Sequence, residues 1–332
     1  SLGNSPDPLE LIEKYGADGV RMGMMLSAPA GNDILFDDAL CEQGRNFNNK
    51  IWNAFRLIKG WEVSAEVPMP EAAGLAMRWF ESKQNAVAAE VADLFGKYRL
   101  SEALMAVYKL FWDEFSSWYL EMIKPAYGQP INKKVYETTI GFFDNLLHLL
   151  HPFMPFITEE IYQALPGSAE TIMTQEWPDA GKMTAWPQEC ADFEVLMDYI
   201  KAVRTIRNDM NVHPAKKTSM TIETANPAAF QKGGAYLARF AFATDVALTE
   251  KYTGTTDGVV TVVTPAARGF IPMMELIDRE KELKRLHKEL EKAEKEANMF
   301  RNQLNNPKFV ERAPEKLVNE TRTKLAASED KI

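Results

Sequence analysis

Near the end of the chain, a row of basic side chains has the spacing needed to bind a polyanion. The row lies on a segment whose apolar residues recur every three and four positions, which is the heptad pattern of a coiled coil. These apolar residues are Leu283, Leu286, Leu290, Ala293, Ala297, Phe300 and Leu304. The basic residues fall at heptad positions facing away from this seam and are Lys281, Arg285, Lys288, Lys292 and Lys295. A row of cations about 21 Å long can release counterions from a phosphate backbone, so we predict a ridge that binds nucleic acid.

A solvated helix face is the alternative interpretation of this row. Helices stabilised only by surface charge usually mix opposite signs at i,i+4 spacing. The basic residues occupy heptad positions c and f, where no acidic residue occurs between residues 281 and 295, and Glu282, Glu289 and Glu296 recur beside the seam instead. This separation of sign favours phosphate binding.

A second polar face is predicted on a helix that begins near Asp37. Opposite its apolar stripe, the sequence places Arg45, Asn46, Asn49, Lys50, Asn53 and Arg56. Asn side chains both donate and accept hydrogen bonds, and Arg guanidinium groups can stack on bases. Unpaired RNA bases are recognised by such groups, so this face is a candidate RNA-binding surface. A polar face that only contacts solvent is the alternative.

The remaining chemistry-bearing residues give no catalytic pattern. His148 and His151 have the spacing of a metal pair, but no acidic or sulfur ligand accompanies them closely, and a packed helix end is the favoured interpretation. The sequence contains no nucleophile elbow, no glycine-rich phosphate loop and no HExxH motif. We therefore predict no catalytic residue, no metal ion and no cofactor in this chain.

Composition limits the class of protein. The chain has 332 residues, of which 46% are hydrophobic and 26% charged, with a formal net charge of −9. Such a charge argues against a surface coated in nucleic-acid contacts, so an anionic partner must meet local basic faces. Cys41 and Cys190 are the two cysteines, which excludes a disulfide framework and indicates a reducing cytoplasm. No apolar run is long enough to span a bilayer, so we predict a cytoplasmic protein that does not bind membranes.

Hydrophobic periodicity predicts the elements that position these faces. Residues 38–165 carry apolar stripes at helical spacing, which indicates antiparallel helices joined by short turns. Tyr98 is predicted to extend the second stripe, and Ser101 to cap the third helix. Strands are predicted at residues 218–222, 246–250 and 259–263, and a helix at 227–242.

The predicted fold class is mainly α. It comprises a connector at residues 1–37, a helical bundle at 38–190, a small α/β unit at 191–271 and an arm at 272–332. In the arm, Asn305-Asn306-Pro307 ends the heptad helix, and Pro314 starts a second one. Two such helices separated by a turn predict an antiparallel coiled-coil hairpin.

Several segments resemble class I aminoacyl-tRNA synthetases. Residues 1–8 (SLGNSPDP) are similar to the sequence after the ATP loop, where Ser1 would end the KMSKS signature. Residues 14–21 (KYGADGVR) and 32–36 (NDILF) resemble the connector of that family. Residues 45–54 (RNFNNKIWNA) look like the valyl branch, and residues 151–160 (HPFMPFITEE) are similar to the valyl, isoleucyl and leucyl branches. Residues 304–310 (LNNPKFV) and 313–315 (APE) resemble the valyl coiled-coil arm, whereas the zinc module common in isoleucyl enzymes needs more cysteines than this chain has.

This resemblance implies a function that no single motif gives. It implies that the bundle binds the anticodon and that the arm braces the outer corner of tRNA(Val). Valine attachment, with ATP and Mg²⁺ as cofactors, would then belong to a catalytic domain outside this chain, and we expect a monomer. Two alternatives remain open here: the same region of an isoleucyl or leucyl enzyme, or a structural module whose coiled coil binds a protein partner.

Overall fold

The computed structural model describes residues 6–28, 36–182, 184–213, 215–276, 279–306, 309 and 314–330. At positions 182, 274, 275, 279–282, 285, 286 and 315 the description is limited to the backbone. The chain forms two compact units. One contains Ser1–Asp198 with Asn226–Tyr236, and the other contains Tyr199–Ala225 with Leu237–Ile332.

The first unit is built from helices, as the periodicity predicts. They are α1 (Pro8–Tyr15), α2 (Ala17–Leu26), α3 (Asp38–Lys59), α4 (Glu71–Gly96), α5 (Leu100–Lys109), α6 (Leu120–Ile123), α7 (Lys133–Leu150), α8 (Pro155–Gln163), the first half of α9 (Pro187–Asp209) and α10 (Pro227–Lys232). Asp7 caps α1 and Asp37 caps α3 by accepting a hydrogen bond from the backbone two residues on. The apolar stripe of α3 faces the core: Phe47, Ile51, Phe55 and Ile58 are buried.

Glycines allow α2 and α3 to pack at backbone distance. A Cβ atom built on Gly44 would lie 2.5 Å from the carbonyl oxygen of Gly19, and one on Gly23 would lie 2.6 Å from the Sγ of Cys41. Side chains at these positions would force the helices apart. The connector is therefore fixed against the helix that carries the predicted RNA-binding face.

A π-helical segment, Leu110–Tyr119, continues α5 into α6 without a break. Its wider turn places aromatic rings at the centre of the bundle. Phe115 stacks on Tyr119, with ring centroids 5.6 Å apart, and on Phe143 of α7 at 5.7 Å. The aromatic stripe was predicted from the sequence, but the π-helical geometry was not.

Two local predictions in this unit were wrong. Tyr98 does not extend the apolar stripe, because it lies beyond α4 with a φ of 57° and is 84% exposed. Ser101 does not cap a helix. Its hydroxyl instead donates to the carbonyl oxygens of Met25 and Ala28, at 2.6 and 2.7 Å, and so ties α5 to the end of α2.

The second unit contains a four-stranded mixed sheet. Its strands are β3 (Thr218–Thr224), β4 (Ala243–Thr249), β5 (Val260–Val263) and β6 (Ala267–Ile271), in the order β4-β3-β6-β5. β3 and β4 are parallel, and the other pairs are antiparallel. β6 was not predicted. Its Gly269 leaves room for the ring of Tyr199, whose hydroxyl would lie 1.9 Å from an added Cβ atom.

The predicted helix at 227–242 is two helices, α10 and α11 (Gly234–Phe240). They are separated at Gly233, where an added Cβ would lie 2.1 Å from Leu196. The two-stranded sheet of the first unit, β1 (Val63–Ser64) and β2 (Ile131–Asn132), is parallel. Residues 166–190 contain short 3₁₀ turns at Ile172–Thr174 and Ala180–Lys182 before α9 begins.

The arm consists of α12 (Arg279–Leu304) and α13 (Glu315–Glu329), which pack against each other. Ala293 and Ala297 of the heptad seam are buried, whereas Leu283 and Leu290 are 56% and 37% exposed. On α13 the buried residues are Val318, Thr321 and Ser328. The apolar seam is thus covered over its second half.

The contact between the ends of α12 and α13 differs from the one that the predicted antiparallel hairpin implies. The Arg301 guanidinium donates to the Glu329 carboxylate at 2.6 Å, and both residues lie in the last turns of their helices. A hairpin with a short turn would instead place Arg301 opposite the first turns of α13. This contact therefore argues against the simple antiparallel arrangement.

Candidate nucleic-acid interface

The predicted polar face of α3 points away from the core. Arg45, Asn46, Asn49, Asn53 and Arg56 are exposed, and Lys50 is half-buried. Arg45, Asn49 and Arg56 follow one line along the helix with Trp52, which is 39% exposed. The structure therefore brings the six predicted residues onto one accessible side of α3.

Two of these cations already have partners within the protein. The Arg45 guanidinium lies 3.3 Å from the carboxylate of Glu42 and over the ring of Tyr15. The Lys50 ammonium lies 5.1 Å from the ring centroid of Trp112. For Asn46, Asn49, Asn53 and Arg56, the described residues provide no side-chain hydrogen bond or ion pair. Their donors and acceptors are open to a ligand.

At the C-terminal end of α3, Arg56 lines a groove of about 630 Å³. Its other walls come from the last turn of α3, from the segment after it and from the loop between α6 and β2. They include Leu57, Trp61, Lys124, Pro125, Tyr127 and Gln129. The Tyr127 side chain is completely exposed. The groove thus combines an aromatic ring, a guanidinium and an ammonium group, which together can stack on a base and contact phosphate.

Backbone pairing holds the two walls of this groove together. β1 and β2 pair through Val63 and Ile131, and the amide of Ile131 donates to the carbonyl of Glu62 at 2.7 Å. The Asn132 side chain donates to the carbonyl of Val67 at 2.6 Å. Gly128, with a φ of 73°, makes the turn that presents Tyr127.

Sequence reasoning missed the contribution of Lys124 and Tyr127 to this groove. They lie more than 60 positions from Arg56 along the chain, and no periodicity connects them. The sequence did contain one signal: a tyrosine beside a glycine shortly after Pro125. A turn of this kind seldom buries an aromatic ring, so the pattern indicates an exposed tyrosine. The hydrogen bonds between β1 and β2 were needed to join the two loops.

Of the basic row on α12, the structure describes the side chains of Lys288, Lys292 and Lys295, and all three are exposed. The side chains of Lys281 and Arg285, and the whole of Ser1, lie outside the described residues. Lys295 forms an ion pair with Glu291 at 2.6 Å, and Lys292 approaches Glu296 at 4.0 Å. Acidic neighbours one turn away therefore partly neutralise the row, which the heptad positions alone did not show.

The two histidines near the end of α7 have structural contacts. The Nδ1 of His148 lies 2.8 Å from the carbonyl oxygen of Asp144, and the Nδ1 of His151 lies 2.7 Å from the hydroxyl of Thr158. In the described part of the chain, no cluster of His, Cys, Asp or Glu has the geometry to hold a metal ion. Among the same residues, no helix has the length and apolarity of a membrane span.

Comparison with known families gives the class of protein that carries these surfaces. Residues 77–222, from α4 into β3, match the family described as anticodon-binding domain of tRNA ligase. Residues 278–332, which include α12 and α13, match the valyl tRNA synthetase tRNA binding arm. The chain therefore contains an anticodon-binding domain and a tRNA-binding arm of the kind that these families describe in tRNA ligases.

Along its whole length, the chain belongs to the valyl-tRNA synthetase family. It is 53% identical to a valine--tRNA ligase of Phocaeicola vulgatus and 51% identical to one of Bacteroides thetaiotaomicron, in both cases over 100% of this chain. It is 38% identical, over 98% of its length, to a valine--tRNA ligase of Clostridium perfringens. The chain spans 37% of the length of the first two relatives.

A crystal structure of a ternary complex of Agrobacterium radiobacter K84 agnB2 LeuRS, tRNA and LeuAMS is similar over 55% of this chain, with 19% identity and a TM-score of 0.40. The predicted alternative of a leucyl or isoleucyl enzyme is not supported, because the arm family and the relatives are valyl. The α3 face precedes the matched residues 77–222, whereas Lys124 and Tyr127 lie inside them.

Proposed function

We propose that this chain holds tRNA(Val) at two places while another part of the whole protein attaches valine. The proposal is based on the groove that Arg56 of α3 lines together with Lys124 and Tyr127 of the matched anticodon-binding region. Open amide groups on α3 and an exposed ring beside them are the chemistry that reads unpaired RNA bases. The anticodon loop of a tRNA presents such bases.

The arm supplies the second contact in this proposal. Lys288, Lys292 and Lys295 lie on the outward side of α12, within the region that matches the tRNA-binding arm. Lys281 and Arg285 extend the row in the sequence. Ammonium groups bind phosphates without regard to base identity. The arm therefore contributes affinity and orientation at the outer corner of the tRNA, and the α3 groove contributes discrimination.

Catalysis belongs to the whole protein in this proposal. Valine attachment would use ATP with Mg²⁺, and we assign neither to residues of this chain. We also propose that the protein acts as a monomer in the cytoplasm. The purified chain should show no valine-dependent pyrophosphate exchange, and measurable exchange would contradict this division of labour.

Competition between tRNAs tests the proposed specificity. Labelled valine tRNA is bound to the chain at moderate salt, and unlabelled valine or isoleucine tRNA is added as competitor. Valine tRNA should displace the label at lower concentration, because its anticodon fits the groove. Equal displacement by both would show that the chain binds tRNA without reading the anticodon, and failure to bind either would refute the proposal.

A further inference from the structure

The second unit contains a cavity that none of the surfaces above explains. It has a volume of about 430 Å³ and lies at the C-terminal end of α9. Its lining combines cations, amides and a ring: Arg204, Arg207, Asn208, Asn211, His213 and Phe242. Counted from Arg204, the residues Arg207, Asn208 and Asn211 follow after three, four and seven positions. One side of α9 and the residues just after its end therefore face the cavity.

Arg207 is fixed in place although it carries a charge. It is 3% exposed, and its guanidinium lies 4.9 Å from the ring centroid of Phe242. One nitrogen, Nη2, donates to the carbonyl oxygens of His213 and Lys216. The other, Nη1, is buried and has no hydrogen-bond partner. The guanidinium is therefore held rigidly, with both N–H groups of Nη1 unused.

No acidic side chain of the described residues forms an ion pair with Arg207 or Arg204. Burial lowers the pKa of Arg207, and no nearby carboxylate opposes that shift. Buried charges in proteins are normally paired, because an unpaired one loses its hydration without compensation. A buried cation beside an open cavity that no described acidic side chain lines is therefore a site that an anion would complete.

The backbone at the end of α9 shapes this cavity. The amide of Val212 donates to the carbonyl of Arg207 at 2.8 Å, and Asn211 has a φ of 55°. This is the left-handed termination that commonly ends helices. Phe242 also has a positive φ of 58°, which is uncommon for a large side chain. Both residues line the cavity, so its shape is fixed by the fold.

We infer that this cavity binds a phosphate group, with Arg204 and Arg207 as its cationic ligands. Arg204 is exposed and contributes a second fork of donors one turn from Arg207. A tetrahedral oxyanion suits two guanidinium groups and neighbouring amide donors, which bind phosphate with charge-assisted hydrogen bonds. The phosphate can belong to an RNA strand or to a free phosphate compound. The phosphate site itself does not depend on the proposed function.

Thermal unfolding of the whole chain in inorganic phosphate tests the inference. The control is sodium chloride at the same ionic strength, which screens charge but does not fill the site. Phosphate should raise the unfolding temperature beyond the control, because a ligand that binds the folded state stabilises it. In Arg204→Gln, the phosphate concentration needed for the same rise should increase on the order of tenfold.

Two further variants complete the test. Arg268→Gln, which changes an exposed side chain on β6 of the same unit, should respond to phosphate as the wild type does. Arg207→Gln should abolish the response, and if it fails to fold, Arg204→Gln decides, because its side chain is exposed. Phosphate that stabilises no more than chloride, or that stabilises the wild type and Arg204→Gln equally, overturns the inference.

The salt dependence of tRNA binding distinguishes an RNA phosphate from a free phosphate compound. If the RNA backbone supplies it, Arg204→Gln should reduce the slope of log affinity against log salt by about 0.7–0.9. A phosphate response with an unchanged slope identifies a free phosphate compound as the ligand. Normal tRNA binding without any phosphate response would refute the cavity site and leave the proposed function intact.

Discussion

The carboxylate of Asp18 in α2 caps α8 across the first unit. Its two oxygens accept hydrogen bonds from the backbone amides of Phe156 and Ile157, at 3.3 and 2.7 Å. Nearby, Arg21 donates to the carbonyls of Pro152 and Phe153. The connector segment 14–21 and the segment 151–160 are therefore joined through the free amides at the start of one helix and the carbonyls before it.

Replacing Asp18 with alanine should destabilise the first unit. Asp18 is 5% exposed, so its loss leaves two amides at the start of α8 without an acceptor. We expect the free energy of unfolding to fall by about 1–3 kcal/mol. Urea denaturation followed by circular dichroism measures this. Asp93→Ala removes an exposed ion pair with Lys97 and should change stability by less than about 0.5 kcal/mol. Equal effects of the two substitutions would contradict the capping role.

His151 should make stability depend on pH. Its pKa is lowered from the ordinary value of 6.5, chiefly because burial disfavours the charged ring. The unfolded chain therefore binds the proton more readily than the folded chain. The contribution of His151 is fully present above pH 6.5 and is lost as pH falls through the lowered folded value.

A His151→Asn variant tests this relationship, since asparagine does not titrate. The stability of the wild type should decline more steeply than that of the variant when urea denaturation is repeated at pH values descending from 7 to about 5. His287→Asn, which changes an exposed side chain of α12, is the control and should follow the wild type. Parallel curves for wild type and His151→Asn would show that burial of His151 has no effect on proton binding.

The elements that could be predicted are those whose pattern is local. The stripe of α3 needed periodicity alone, and the caps at Asp7 and Asp37 needed a side chain two residues from its partner. β6 could not be predicted, because Arg268 and Gly269 interrupt its apolar residues. Gly269 leaves room for the ring of Tyr199, which is distant along the chain, so the sequence near β6 does not show why a glycine is needed there.

Tyr127→Ala should weaken binding of valine tRNA. The ring is completely exposed, so its removal costs no core packing. Stacking of a base on an aromatic ring contributes about 1–3 kcal/mol, which corresponds to a loss of about fivefold to more than a hundredfold. Fluorescence anisotropy with labelled tRNA measures the affinity. Tyr98→Ala, another exposed tyrosine of the same unit, should bind as the wild type does. An unaffected Tyr127→Ala would remove the groove from the interface.

The basic row of α12 should respond to changes in its acidic neighbours. The Lys295 ammonium lowers the pKa of Glu291 through a hydrogen bond and charge attraction, so the two side chains are paired. Glu291→Gln frees Lys295 and should raise tRNA affinity a few-fold, whereas the double variant Lys288→Glu, Lys292→Glu should lower it. Both effects should be equal for valine and isoleucine tRNA, because phosphate contacts carry no sequence information.

The control for this pair is Glu320→Gln, which removes the same charge from an exposed side chain of α13, away from the row. Affinities are compared at several salt concentrations, and the double variant should show a shallower salt dependence. If Glu291→Gln and Glu320→Gln raise affinity equally, only net charge matters, and the row has no special role.

The candidate interface could be predicted in part for a physical reason. The six polar residues of α3 share one helix, so their common face follows from helical geometry. Arg56 and Tyr127 line the same groove only because β1 pairs with β2. Strands of two residues are too short to give a recognisable pattern in a sequence. The pairing of Glu291 with Lys295 could have been predicted, because the two residues are four positions apart on one helix. The heptad assignment did not show it, because it places the two residues at different heptad positions.

Hydroxyl-radical footprinting of valine tRNA bound to the whole chain most directly tests the proposal that the α3 groove and the arm both bind tRNA. We predict protected backbone at the anticodon loop and at the outer corner of the tRNA. Tyr127→Ala should weaken the first protection, and the Lys288→Glu, Lys292→Glu double variant the second. Cleavage identical to that of free tRNA, at protein concentrations that saturate any binding, would contradict the account.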